Sequence, residues 1–228
     1  FSPIAINLPK DTYQSGTEQQ IDSYKKYMRT LFVLGGETEE DAEAMANACY
    51  DMEKELSASM LNTEDSSNVD KIYNVFTMQE IRDMYPNVDI DAVFADSELQ
   101  QGDEIIISDV GLAEAFADYF TDEHVDTLKA WAKLTVLLGW GGAFNQEFID
   151  ASDTFNQEFM GVSGSYTPEE RAVLTVQSTM PDYIGELYAE RYFTEEAKQD
   201  VEKMVRDIID VYRARIQNLD WMSDTTKE

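Results

Sequence analysis

The sequence contains very few of the side chains on which most catalytic and metal sites depend. Its 228 residues include one cysteine and one histidine. A single cysteine excludes a disulfide within the chain, and a zinc site normally needs several histidine or cysteine ligands. Cys49 lies in the helix-forming stretch AMANACYDMEKEL, so we interpret it as a small apolar residue on a packed helix face rather than a reactive thiol.

Positive charge and long apolar segments are also scarce. The chain has 17 lysines and arginines against 46 aspartates and glutamates, a net charge of −29, and such a surface repels nucleic acid and anionic lipid headgroups. The longest apolar run, LTVLLGWGGAF, is shorter than the roughly 18 residues that a membrane-spanning helix requires. We therefore expect no nucleic-acid partner and no membrane contact by this segment. The acidity favours an extracytoplasmic or secreted protein over a cytoplasmic one.

The usual catalytic templates fail on residue type and order. The only histidine, His124, lies in FTDEHVDTL, where we expect it in the first turns of a helix, beside Glu123 and Asp126, as a solvated surface residue. With one histidine, the two-histidine HExxH zinc helix cannot be formed. GVSGS at 161–165 misses the G-x-S-x-G nucleophile turn because Ser165 stands at the final glycine position. The residues by themselves predict no catalytic site and no metal site.

A possible calcium loop spans residues 87–98. Side-chain oxygens occupy four of the positions that an EF-hand uses: Asn87, Asp89, Asp91 and Glu98. The sixth position, however, is Ala92, where the sharp turn of the loop needs glycine. We therefore favour a short acidic helix that packs Val93 and Phe94 inward.

Helix-start signals recur along the chain. Thr17, Thr77 and Thr167 each stand three residues before a glutamine or glutamate, which is the spacing of a capping box, and Thr38 and Thr194 are further N-cap candidates. Apolar periodicity predicts further helices near 112–120, 122–138 and 144–159. One strand is predicted at Glu104–Ser108, and residues 1–16 are predicted to be extended with turns.

The last helix, which begins after Thr194, is the longest. Its apolar residues form one stripe at helical spacing: Ala197, Val201, Met204, Val205, Ile208, Tyr212, Ile216 and Leu219. Ser223 and Asp224 then predict the start of a further helix, which we expect to continue beyond Glu228. The patterns together predict an all-α fold of about eight or nine helices with at most one short β-hairpin. We expect one helical domain over 1–228, truncated at both ends.

Three segments, in order, resemble the neprilysin family of zinc metalloendopeptidases. INLPKDTY resembles the family segment G-L-x-L-P-x-x-x-Y-Y through Leu8, Pro9 and Tyr13, and a helix with Tyr24 and Tyr27 follows. MEKELS and YNVFTMQEIRDMYPNVDIDAVF resemble the family's E-x-x-L-A helix and its N-x-x-T-x-x-E-L segment. The third segment follows the pattern G-x-L-Y, F, K and L-x-W-M-x-x-x-T-K at Gly185, Leu187, Tyr188, Phe193, Lys198, Leu219, Trp221, Met222, Thr226 and Lys227.

The resemblance implies a two-domain peptidase. A thermolysin-like domain would carry HExxH, and a mostly helical domain would face it across a closed chamber that limits substrates to peptides. This chain would supply the helical domain, with the catalytic domain of the same chain and peptide substrates as its partners. No catalytic, metal or established substrate-binding residue of the family maps onto the sequence, so the substrate-binding residues stay unknown.

Several expectations follow from the resemblance. One zinc ion is expected in the catalytic domain outside this sequence, none in the fragment itself, and the fragment alone is predicted to be inactive. An animal member would be expected to carry several cysteines in this domain, so one cysteine and no Asn-x-Ser/Thr sequon favour a bacterial source. The alternative is a stand-alone acidic helical module that binds basic peptides or proteins.

Overall fold

The computed structural model describes residues 6–95, 104–162, 164 and 166–228. The chain divides into two compact units, Phe1–Gly164 and Ser165–Glu228, which we call the first and the second unit. The described part contains thirteen α-helices, nine of them seven residues or longer, and one two-stranded antiparallel sheet. The predicted all-α fold class is therefore confirmed.

The first unit contains nine of these helices and the sheet. The helices are α1 (Lys10–Ser15), α2 (Glu18–Leu34), α3 (Glu39–Ser59), α4 (Val69–Ile72), α5 (Met78–Met84), α6 (Ile90–Val93), α7 (Val110–Ala117), α8 (Val125–Trp140) and α9 (Gln146–Met160). The strands are β1 (Asn74–Thr77) and β2 (Glu104–Ile107), paired antiparallel with Val75 opposite Ile106. Short 3-10 turns lie at Asp65–Ser67 and Gly141–Ala143.

The second unit consists of four helices: α10 (Pro168–Thr179), α11 (Pro181–Tyr192), α12 (Glu195–Gln217) and α13 (Asp224–Lys227). None of its described residues is buried. Across the described parts of both units, no helix combines the length and the apolar character that crossing a membrane requires.

The helices begin where the capping signals predict. Thr17 Oγ1 accepts a hydrogen bond from the Gln20 backbone N–H at 3.2 Å, and the Gln20 side chain accepts one from the Thr17 N–H at 3.0 Å. Thr77 and Thr167 start α5 and α10 with the same reciprocal pair. Ser223 caps α13, as expected. These bonds satisfy N–H groups that have no partner within the helix.

One local expectation is wrong, and one strand was not predicted. Residues 1–16 are not extended throughout, because Lys10–Ser15 form α1, whose first turn follows Pro9 at φ −58° and whose Tyr13 is buried. Proline at this place suits a helix start because its φ is already near the helical value. The strand β1 was not predicted, because it is only four residues long and its last residue, Thr77, is also the cap of α5.

The helix α3 contributes to both hydrophobic cores of the first unit. Its Cys49 packs in a cluster with Phe32 of α2 and Leu134 of α8. Its Met52 and Leu56 belong to a second cluster, formed with α5, α7 and the sheet. Burial of a side chain of this size contributes about 1.5–3 kcal/mol, so α3 stabilises both cores of the first unit.

Candidate functional site

A fully buried carboxylate lies on α3 near the junction of the two cores. Glu53 is 0% exposed, and the hydroxyls of Tyr13 in α1 and Tyr24 in α2 both donate to its Oε2 at 2.8 Å. Asn7 Nδ2, in the segment before α1, donates to Oε1 at 2.5 Å. We call these four residues the Glu53 cluster. The hydrogen bonds offset the cost of removing a carboxylate from water.

Burial and hydrogen bonding act on Glu53 in opposite directions. Burial raises the pKa of its carboxyl, whereas the hydrogen bonds from Tyr13, Tyr24 and Asn7 lower it. Burial also raises the pKa of both tyrosines, and the charge of Glu53 raises it further. Both hydroxyls therefore remain protonated donors at physiological pH.

The Glu53 cluster links three helices of the first unit. Tyr24 is 1% and Tyr13 2% exposed, so neither the hydroxyls nor the carboxylate can form a hydrogen bond with a peptide substrate in the folded chain. Acid–base catalysis requires such reach. The cluster joins α1, α2 and α3 through one side chain, and we assign it a scaffolding role.

Part of this cluster could have been found in the sequence. Glu53 lies four residues after Cys49 and three before Leu56, so the helical period places it on the apolar face of α3. A charged residue at a core position demands partners. Asn7 carries no comparable signal, because its approach to Glu53 depends on tertiary packing.

His124 lies at the N-cap position of α8, one residue before the helix begins. It is half-buried, its Nδ1 is 3.0 Å from Thr121 Oγ1, and its ring centroid is 4.7 Å from that of Tyr119. The expected solvated position is therefore only partly correct. Within the described ranges, no group of three or more histidine, cysteine, aspartate or glutamate residues is placed to hold a metal ion.

The possible calcium loop has other uses for its oxygens. Asp89 caps α6 by accepting from the Ala92 N–H at 3.0 Å, and Asp91 pairs with Arg82 at 2.6 Å. Asn87 donates to the carbonyl of Phe120, and Glu98 lies outside the described residues.

The expected short helix is present, but Val93, at 58% exposed, does not pack inward. Ile90 is buried instead. Phe94 is half-buried and packs against the second core cluster, so it lies inward as expected.

The remaining sequence candidates have simple outcomes. Cys49 is 0% exposed and lies in the first core cluster, which confirms that it is a packed residue on the buried face of α3. Burial raises its pKa to about 12, which disfavours the reactive thiolate form. The near-match to a nucleophile turn at 161–165 cannot be compared with the structure, since Ser163 and Ser165 lie outside the described residues.

The second unit carries an extended apolar surface. Six residues of α12 follow one another at helical spacing and are each between 47% and 62% exposed: Val201, Met204, Val205, Ile208, Val211 and Tyr212. We call them the α12 stripe. Part of the stripe lines an open groove of about 300 Å³, which Asp207 and Arg215 complete. The sequence predicted five of these six residues as part of an apolar stripe, all except Val211, but it did not predict their exposure.

Comparison with known proteins gives the same family over the whole chain. The sequence model described as peptidase family M13 matches residues 1–228. The neutral endopeptidase of Lactococcus lactis subsp. lactis is 24% identical over 232 residues, which cover 100% of this chain and 37% of that protein. Neprilysin-1 of Caenorhabditis elegans is 25% identical over 92% of this chain and 30% of its own length.

A solved structure supports the fold. PepO from Lactobacillus rhamnosis superposes with a TM-score of 0.81 at 18% identity, over 99% of this chain and 36% of that one. At this identity the likeness establishes the fold alone. The chain spans just over a third of the length of the L. lactis endopeptidase and of PepO.

Proposed function

Because the chain belongs to peptidase family M13, a family of zinc-dependent hydrolases, we propose that it is the non-catalytic helical domain of a bacterial neprilysin-like zinc metalloendopeptidase. In this role it forms a wall of the chamber in which peptides are hydrolysed. The observation that supports the proposal most is the extent of the family match, which includes every residue of the chain and just over a third of the L. lactis endopeptidase.

The residues that the structure describes do not fit a zinc site. Zinc in proteins is held by three or four histidine, cysteine or carboxylate ligands that converge on one point. His124 is the only histidine, and the described residues contain no converging set of three possible ligands. We therefore assign the zinc of the family to a catalytic domain elsewhere in the protein, and no step of hydrolysis to this chain.

The first unit has the properties that a chamber wall requires. A wall must keep its shape while a substrate is enclosed, and packed interiors resist deformation. The Glu53 cluster fixes α1 and α2 to α3 at the junction of the two cores. The surplus of carboxylates over basic groups also favours the entry of peptides with positive charge.

The size of the substrates that the intact enzyme cleaves tests whether its chamber is closed. One cleavage sequence is presented to the intact enzyme twice, in a short peptide and inside a long unfolded protein. A closed chamber predicts rapid cleavage of the peptide and a rate lower by about tenfold or more, equivalent to about 1.4 kcal/mol or more, for the long chain. Equal rates on both substrates would refute the enclosing role.

The alternative function, a stand-alone acidic module that binds basic proteins, has a separate test. The coding sequence around these residues either encodes an HExxH motif or does not. If no such motif follows within a few hundred codons, the peptidase proposal fails and the binding module becomes the better explanation.

A further inference from the structure

The described residues of the second unit form no hydrophobic core. None of its described residues is buried, although its helices carry many large apolar side chains. On α10 and α11, Val173, Leu174, Leu187 and Tyr188 are each 42–59% exposed. Apolar surface of this extent lowers the stability of a folded unit in water unless another surface covers it.

The α12 stripe is the most regular part of this surface. Its six residues fall on one side of the helix because they recur at intervals of three and four. The opposite side of α12 carries charged residues, among them Lys203 and Asp210, and both are exposed. A helix with one apolar and one charged side is typical of a helix that packs against a partner along its apolar side.

We propose that the α12 stripe docks against the catalytic part of the same M13 polypeptide in the intact enzyme. The proposal rests on the function proposed above and names the surface through which this chain is joined to the rest of the protein. The L. lactis endopeptidase and PepO are far longer than this chain, so the intact protein would contain enough further polypeptide to cover a face of this size.

The charge of α12 supports an interface within one protein. The whole chain has a net charge of −29, but the segment Glu195–Gln217 contains six acidic and five basic residues and is nearly neutral. A neutral helix can be covered by another part of an acidic protein without strong repulsion. Asp207 and Arg215, which line the groove beside the stripe, offer one charge of each sign to polar groups at the edge of the partner surface.

Cysteine labelling of the intact enzyme tests the docking surface. Ile208→Cys places a thiol in the stripe, and Lys203→Cys is the matched control on the charged side of the same helix. Labelling by a water-soluble maleimide is read by mass spectrometry at each position, in the intact enzyme and in the 228-residue chain. The native Cys49 is buried with a raised pKa, so its labelling reports unfolding of the first unit.

We expect the thiol at 208 to react about tenfold or more slowly than the thiol at 203 in the intact enzyme, and both to react rapidly in the 228-residue chain. Equal rapid labelling at 208 and 203 in an intact enzyme that hydrolyses peptides would overturn the docking surface and leave the proposed function standing. Protection of position 208 in the 228-residue chain would also overturn it, because the covering surface would then belong to this chain or to a second copy. Protection that increases with protein concentration would identify the second copy. An intact protein without peptidase activity would instead count against the proposed function.

Discussion

At the scale of single residues, Glu53 is the only charged side chain that is buried among the described residues. Tyr13 and Tyr24 both donate to the same oxygen, Oε2, so one acceptor atom satisfies two buried hydroxyls. A side chain that keeps this acceptor should preserve the cluster, and one that removes it leaves two buried hydroxyl groups without an acceptor for their hydrogen atoms. An unsatisfied buried group costs about 1–3 kcal/mol.

This difference predicts opposite outcomes for two substitutions of similar size. Glu53→Gln keeps an oxygen that can accept from both tyrosines. If the Asn7 side-chain amide flips, its oxygen can accept from the new glutamine NH2 group. The unfolding free energy of this variant should therefore lie within about 1 kcal/mol of the wild type. Glu53→Leu should lower it by about 2–5 kcal/mol. Urea unfolding followed by circular dichroism measures both. Equal losses in the two variants would show that the acceptor atom is unimportant.

The same residue makes stability depend on pH. Burial raises the pKa of Glu53 in the folded chain, and the unfolded chain retains the ordinary carboxyl value. Between these two values the folded state binds more protons, so stability falls as pH rises through this interval, by at most about 1.4 kcal/mol per pH unit. Below the ordinary value this contribution is fully present.

Glu53→Gln removes this titration and provides the control. The difference in unfolding free energy between wild type and Glu53→Gln should decrease as pH rises from the ordinary carboxyl range, and then become constant. A difference that stays constant over the whole range, or that increases with pH, would contradict the raised pKa of Glu53.

At the scale of helices and strands, local chemistry determined most boundaries, and tertiary contacts determined the rest. Thr17, Thr77 and Thr167 begin their helices as predicted, because a capping box is formed by residues three positions apart. The strand β1 depends on pairing with β2, which lies far along the chain, and so it left little trace in the sequence. The partners of Glu53 were obscure for the same reason.

Two helical glycines provide a matched prediction for the elements. A Cβ at Gly111 in α7 would lie 2.7 Å from the carbonyl oxygen of Ser59, whereas a Cβ at Gly139 in α8 would meet nothing within 4 Å. Gly139→Ala should therefore stabilise the chain by about 0.5–1 kcal/mol. Gly111→Ala should destabilise it, because backbone atoms at the end of α3 must move. Thermal unfolding of both variants measures the effect, and stabilisation by Gly111→Ala would show that α7 does not approach α3 so closely.

At the scale of the whole molecule, the excess of negative charge opposes the compact state. A net charge of −29 implies repulsion that salt screens, with a Debye length that falls from about 30 Å at 0.01 M to about 10 Å at 0.1 M. The unfolding temperature should therefore rise steeply over this range of NaCl and level off above it. A rise that is linear in salt, with no early steep part, would point to solute exclusion instead of screening.

The family could be predicted from the sequence, whereas the residues that hydrogen-bond to Glu53 could not. The resemblance to the neprilysin family, carried by residues such as Tyr13, Trp221 and Lys227, is confirmed by the match to peptidase family M13 over residues 1–228. The expected single helical domain over 1–228 stays a prediction. The helical period of α12 predicts its apolar side, but it carries no information about which surface covers that side.

The distribution of zinc and activity tests the proposed division of labour most directly. Zinc content and hydrolysis of a short peptide are measured side by side on the 228-residue chain and on the intact protein, each after dialysis against a trace of zinc. We predict about one zinc per molecule and hydrolysis for the intact protein, and neither for the 228-residue chain. Stoichiometric zinc together with peptide hydrolysis by the 228-residue chain would contradict a non-catalytic role.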